Sequence, residues 1–158
     1  MKTDVLGIQY DNLTMQEALE RGRELLNSPQ TVYCVTPNAE IAYQALHDEA
    51  FRSLLNGAAL VLPDGAGVVL GARILGTPLK QKVAGVEFAE GLLGVLEQTG
   101  KRLYLLGGKP GIAELAAEKM LQKHPKLVIC GMADGYFKDE APVVEAVNAA
   151  RPDVLFVC

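Results

Sequence analysis

The residues able to do chemistry lie in a few short turns. Pro63-Asp64-Gly65-Ala66-Gly67 places a carboxylate where an apolar run ends and a helix begins. Asp64 reads either as an ordinary N-cap, stabilising the helix by about 1 kcal/mol, or as a carboxylate held at a strand end and available as a general base. Thr36-Pro37-Asn38 sets a hydroxyl and a carboxamide at another helix start, where each can cap the helix or hydrogen-bond a sugar. Gly107-Gly108-Lys109-Pro110-Gly111 follows a third apolar run. Glycines let the backbone approach a ligand closely, and the free N–H groups of a following helix attract an anion such as a pyrophosphate. The same stretch also reads as a plain tight turn. Tyr136, between Gly135 and Phe137, offers a ring that either stacks on a base or anchors its loop.

Other chemistries lack their residues. There is no G-x-x-x-x-G-K-[ST] phosphate loop, and Leu106 occupies the first position of what would be G-x-G-x-x-G. His47 and His124 stand alone on helical stretches, and no G-x-S-x-G occurs, which argues against a zinc site or a Ser-His-Asp triad. Gly65-x-Gly67-x-x-x-Gly71 follows a strand and is a relaxed form of the dinucleotide fingerprint, so an NAD(P)-binding oxidoreductase stands as an alternative.

These turns need a scaffold, and the hydrophobic pattern supplies one. A short strand is expected over about 5–10. A helix follows, opened by the capping box Thr14-Met15-Gln16-Glu17. Strands are expected over 31–35, 59–62, 102–106, 127–130 and 153–158, with helices between them. Near-continuous apolar strands alternating with helices imply a Rossmann-like α/β fold: an open, mainly parallel sheet with helices on both faces. In such sheets ligands bind beyond the carboxyl ends of strands. The turns after Val35, Leu62 and Leu106 are therefore expected to share one crevice.

A chain of 158 residues is read as a single domain, 1–158. Its net charge of −4 argues against a nucleic-acid partner. Cys34, Cys130 and Cys158 form no C-x-x-C pair and lie in apolar runs, so reduced, buried thiols and a cytoplasmic setting are expected. Residues 154–158 read as a buried strand. No stretch reads as a signal peptide or a membrane span.

Taken in order and spacing, Thr36-Pro37-Asn38-Ala39-Glu40, Pro63-Asp64-Gly65-Ala66-Gly67, Val83-Ala84-Gly85, Gly107-Gly108-Lys109-Pro110-Gly111 with Ala113-Glu114, Gly131 with Gly135-Tyr136-Phe137, and Arg151-Pro152-Asp153 resemble the WecG/TagA/CpsF glycosyltransferase family. The similarity covers nearly the whole chain. It implies an inverting, metal-independent hexosyltransferase with no cofactor, which agrees with the lack of a D-x-D metal clamp. In the TagA branch of the family, N-acetylmannosamine passes from its UDP-sugar donor to undecaprenyl-diphosphate-linked N-acetylglucosamine. The β-1,4 disaccharide so formed begins wall teichoic acid. The WecG branch uses the mannosaminuronic acid donor instead.

On these residues the resemblance implies Asp64 as the base, Thr36 and Asn38 positioning the sugars, Gly107 and Gly108 at the diphosphate, and Tyr136 at the uracil. Gly65, Gly85 and Gly131 join them as substrate-binding positions. Lys82 stands where the family commonly has Arg, and Glu87 where it commonly has Asp. Lysine lacks the bidentate fork, so Lys82 is left outside the site. The family continues past its last such strand into a C-terminal appendage that docks on the membrane. The chain is thus expected to be a catalytic core lacking that appendage, peripheral at the inner face of the bacterial plasma membrane when full length, and a homodimer. A non-catalytic nucleotide-binding module is the remaining reading.

Overall fold

The computed structural model describes residues 1–158. They divide into two compact units, Met1–Gly91 and Leu92–Cys158.

The first unit opens with β1 (Lys2–Val5) and β2 (Ile8–Asp11), an antiparallel hairpin. The expected single strand over 5–10 is therefore two. Leu6 and Gly7 form the turn with φ of +56° and +83°, the left-handed pair that a two-residue hairpin loop needs. Leucine is not a usual residue there, which is why the pattern hides the reversal. The Asp4 carboxylate accepts from Gly7 N–H at 3.1 Å and holds the turn.

Helix α1 (Met15–Leu25) begins with the expected capping box. Glu17 of that box also accepts from the Lys80 ammonium at 2.7 Å. Lys80 and the Thr14 backbone together pull the Glu17 carboxyl down to about 2, so the box stays ionised at neutral pH. β3 (Cys34–Val35) and β4 (Leu60–Val61) form a parallel pair. Between them run α2 (Ala39–Leu46), capped by Asn38, and α3 (Glu49–Asn56), capped by Asp48. α4 (Ala66–Ile74) follows, and the division between the units falls within α5 (Gly85–Thr99).

The core of the first unit gathers Val5, Ile8 and Tyr10 from the hairpin, Ala42 and Ala45 from α2, Leu55, Val61, Val68, Ala72 and Leu79. Each large aliphatic buried there stabilises the fold by about 1.5–3 kcal/mol.

The second unit holds a three-stranded parallel sheet in the order β6-β5-β7, with β5 (Arg102–Leu106), β6 (Val128–Ala133) and β7 (Val154–Val157). Helices α6 (Ile112–Lys123) and α7 (Glu140–Ala150) alternate with these strands. The β5–β6 register shifts once: Leu103 pairs with Ile129 but Tyr104 with Gly131. The skipped residue, Cys130, gives its thiol to the Leu103 carbonyl at 3.3 Å.

The open parallel α/β character agrees with the Rossmann-like expectation, but its strands fall into three ladders, one of them antiparallel. Two further expectations are corrected. Cys34 and Cys158 are exposed and only Cys130 is partly buried, so the thiols do not form part of a core. β7 is likewise half-buried rather than buried, because it pairs with β5 alone and leaves every second side chain uncovered.

No helix is long and apolar enough to cross a membrane.

Candidate active site

In the first unit, three turns are tied together by hydrogen bonds. Leu62 N–H donates to the Val35 carbonyl at 2.9 Å and extends the β3–β4 ladder to the turn. Beyond it the Pro37 carbonyl accepts twice, from Asp64 N–H at 3.4 Å and from the Tyr10 hydroxyl at 3.2 Å. Tyr10 is fully buried, and burial pushes its phenol well above the ordinary value, so it remains a donor. Val83 N–H then donates to the Pro63 carbonyl at 2.8 Å and brings the third turn, Val83-Ala84-Gly85, alongside.

Asp64 does not cap the helix that follows it. The N-cap of α4 is Gly65, at φ +90° and ψ 151°, with no side-chain capping bond. The expectation of an N-cap Asp64 is corrected for that reason: its carboxylate turns instead to α5 and accepts from Gly85 N–H at 3.0 Å through Oδ2. Oδ1 is left without a protein partner. A carboxylate fixed through one oxygen and open at the other is arranged to accept a proton from a bound hydroxyl.

The same turn explains Gly85. A Cβ there would lie 2.7 Å from Thr36 Oγ1, so only glycine lets the threonine hydroxyl approach. Asn38 does cap α2, accepting from Ile41 N–H at 2.9 Å. That bond uses the carboxamide oxygen and leaves its NH2 group for a ligand. Thr36, Asn38, Asp64, Gly65 and Gly85 are thus brought together. With Gly65 at positive φ and no side-chain cap, the first turn of α4 keeps uncapped N–H groups, the positive end of a helix dipole.

In the second unit, Gly107 and Gly108 extend the sheet beyond β5. Gly107 N–H donates to the Ala133 carbonyl at 2.9 Å, Gly135 N–H donates to the Gly108 carbonyl at 2.9 Å, and Cys158 N–H donates to the Leu106 carbonyl at 3.0 Å. Gly107 has φ +135° and Gly108 φ +71°. A Cβ on Gly107 would lie 2.0 Å from the Cys158 carbonyl oxygen. α6 starts at Gly111, in the left-handed region, again without a side-chain cap. Tyr136 N–H donates to Asp134 Oδ1 at 2.8 Å, which turns the loop, and the residue is 67 % exposed. Its ring is open to a partner rather than buried as a loop anchor.

Gly131 is not brought to a strand end. It lies within β6, where a Cβ would be 2.4 Å from the Tyr104 ring, and its glycine serves that packing. Within the relaxed dinucleotide fingerprint, Gly67 likewise serves packing, since a Cβ there would meet Ala39 Cβ at 3.0 Å. Tyr10, Pro37 and Pro63 are positioning residues that the motifs alone do not reveal.

Against known proteins, the family model described as "Glycosyl transferase WecG/TagA/CpsF family" matches residues 3–158. Among its relatives are several named "N-acetylglucosaminyldiphosphoundecaprenol N-acetyl-beta-D-mannosaminyltransferase". That from Bacillus spizizenii is 32% identical over 84% of this chain and 51% of its own length. That from Bacillus subtilis is 34% identical over 77% of this chain and 48% of its own. That from Staphylococcus aureus is 28% identical over 99% of this chain and 62% of its own. The chain spans about half to three-fifths of the length of these curated relatives. The comparisons give no support to an oxidoreductase.

Proposed function

The chain belongs to the WecG/TagA/CpsF glycosyltransferase family, and from that premise we propose that it carries the catalytic core of an inverting transferase acting on a UDP-sugar and a lipid-linked sugar. The names of its relatives supply the sugars: N-acetylmannosamine as the group moved, and N-acetylglucosamine on undecaprenyl diphosphate as the acceptor. The single observation that carries the reading is the state of Asp64, fixed through Oδ2 by Gly85 N–H with Oδ1 open.

In this reaction an acceptor hydroxyl, at C4 of the N-acetylglucosamine, attacks the anomeric carbon of the donor. The new C–O bond forms as the bond to the UDP oxygen breaks, UDP leaves with the electron pair, and the hydroxyl proton passes to Asp64 Oδ1. One direct displacement inverts the anomeric centre and needs one base. Thr36 Oγ1 and the Asn38 NH2 group orient the sugars. Gly107 and Gly108, ahead of the uncapped start of α6, accept the diphosphate, and Tyr136 stacks on the uracil. No metal ion is assigned a role, in keeping with the missing D-x-D pair. The transferase works at a membrane surface, where its acceptor resides, and as a homodimer.

The test is a thermal-shift series with UDP, UDP-N-acetylmannosamine, UDP-mannosaminuronic acid and NADH, joined to transfer onto undecaprenyl-diphosphate-N-acetylglucosamine in the presence of a chelator. Stabilisation by the uridine nucleotides alone is expected, because a ligand that binds only the folded state raises its stability. Stabilisation by NADH and not by UDP would overturn the reading.

A further inference from the structure

We propose that the outward face of α4 seats the polyprenyl chain of the acceptor, with Arg73 and Lys82 pairing with its diphosphate. The inference rests on the transferase reading above and deepens it. α4 buries Val68 and Ala72 against the core. Its opposite positions, Ala66, Val69, Leu70 and Arg73, recur at spacings that share one side of a helix. With Lys82 they line a shallow open groove of about 240 Å³. Leu70 is 57 %, Ile74 76 % and Leu75 53 % exposed. A surface helix ordinarily turns polar residues outward. A run of uncovered aliphatics bordered by charge marks a binding surface.

The charge on the groove selects its occupant. Both ionic residues that line it are cations, and no carboxylate does. The Lys82 ammonium is 3.9 Å from Glu87, an exposed and long contact that an incoming anion can displace. A second copy docked face to face would bring two Arg73 and two Lys82 into one interface with no carboxylate of the groove to pair them, which costs binding energy. A lipid carrying a diphosphate satisfies both halves of the groove at once.

Position agrees with this. α4 begins directly after Asp64 and Gly65, and Lys82 lies three residues before the Gly85 N–H that holds the Asp64 carboxylate. The acceptor sugar at Asp64, its diphosphate near Lys82 and Arg73, and its hydrocarbon along Leu70 and Ile74 follow one continuous surface, about 13 Å along the helix.

Co-sedimentation of the chain with phosphatidylcholine vesicles tests this, with a few mole per cent of undecaprenyl diphosphate, with phosphatidylglycerol of equal charge, or with neither. The undecaprenyl-diphosphate vesicles should retain the chain about tenfold better than the other two, and L70Q/I74Q should lose about that factor. R73Q/K82Q should lose the preference for the diphosphate.

UDP-induced thermal stabilisation, measured on the same samples, shows that the variants are folded. Where L70Q/I74Q fails to fold, R73Q/K82Q alone decides. Retention of L70Q/I74Q at the wild-type level overturns the proposal. So does equal binding to phosphatidylglycerol, or a dimer that L70Q/I74Q converts to monomer with vesicle binding unaltered. UDP stabilisation with vesicle binding insensitive to these changes sinks this inference alone. Vesicle binding that responds to them without any UDP stabilisation sinks the transferase reading instead.

Discussion

Asp64 in the first unit is held by a hydrogen bond to its side chain, whereas Gly107 in the second is held by having no side chain at all. Around Asp64, backbone amides and a buried phenol orient functional groups that project from the turns. Around Gly107, three strand ends converge until their backbones nearly touch, and the N–H groups of Gly107, Gly135 and Cys158 are all spent on neighbouring carbonyls. The contrast teaches where chemistry and folding separate. A side-chain site can lose its reactive atom and keep its shape. A backbone-built turn cannot, because the residues that shape it also hold the sheet together.

The largest effect tests the side-chain half. Asp64→Asn keeps an oxygen to accept from Gly85 N–H but removes the base. Transfer should fall by about 10²–10⁴-fold, while UDP stabilisation and the melting temperature stay as in the wild type. Near-normal turnover would remove Asp64 from the chemistry.

Next comes the backbone half. Gly107→Ala drives a methyl group into the Cys158 carbonyl at a φ that alanine resists, and should cost about 2–4 kcal/mol of stability. Gly111→Ala also has a left-handed φ but meets nothing within 4 Å, and should cost only about 1 kcal/mol. Equal losses in chemical denaturation would show that conformation, not contact, governs the turn.

The smallest effect blurs the contrast on purpose. Tyr136 is a side chain in the backbone-built unit. Tyr136→Ala should weaken UDP binding about tenfold by lost stacking and leave unfolding within about 0.5 kcal/mol. Isothermal titration gives the first number, and unaltered affinity would free Tyr136 from the uracil.

The parts legible in the sequence are those written in neighbouring residues. Thr14 with Glu17, Asn38 and Asp48 each cap within three positions, so their helices were readable. The alternation of apolar runs with Gly-rich turns was enough for the α/β class. What escaped is non-local or lacks a chemical signature. The Asp64–Gly85 bond spans 21 residues and the Tyr10–Pro37 bond 27, and neither pair has a local pattern to advertise it. The Leu6-Gly7 reversal escaped because leucine rarely sits at positive φ. The α4 face escaped because outer and inner positions are both aliphatic, so periodicity could not tell one from the other.

The Pro37 carbonyl carries one more consequence. A proline has no N–H to give, so at this residue the backbone only receives, and both donors come from distant segments. The turn is therefore a listener: its position reports the state of the hairpin through Tyr10 and of the neighbouring turn through Asp64. A lesion that merely shifts the hairpin would arrive at Asp64 as a displaced carboxylate. A kinetic survey would then score it as a catalytic defect, although no reacting group had been touched.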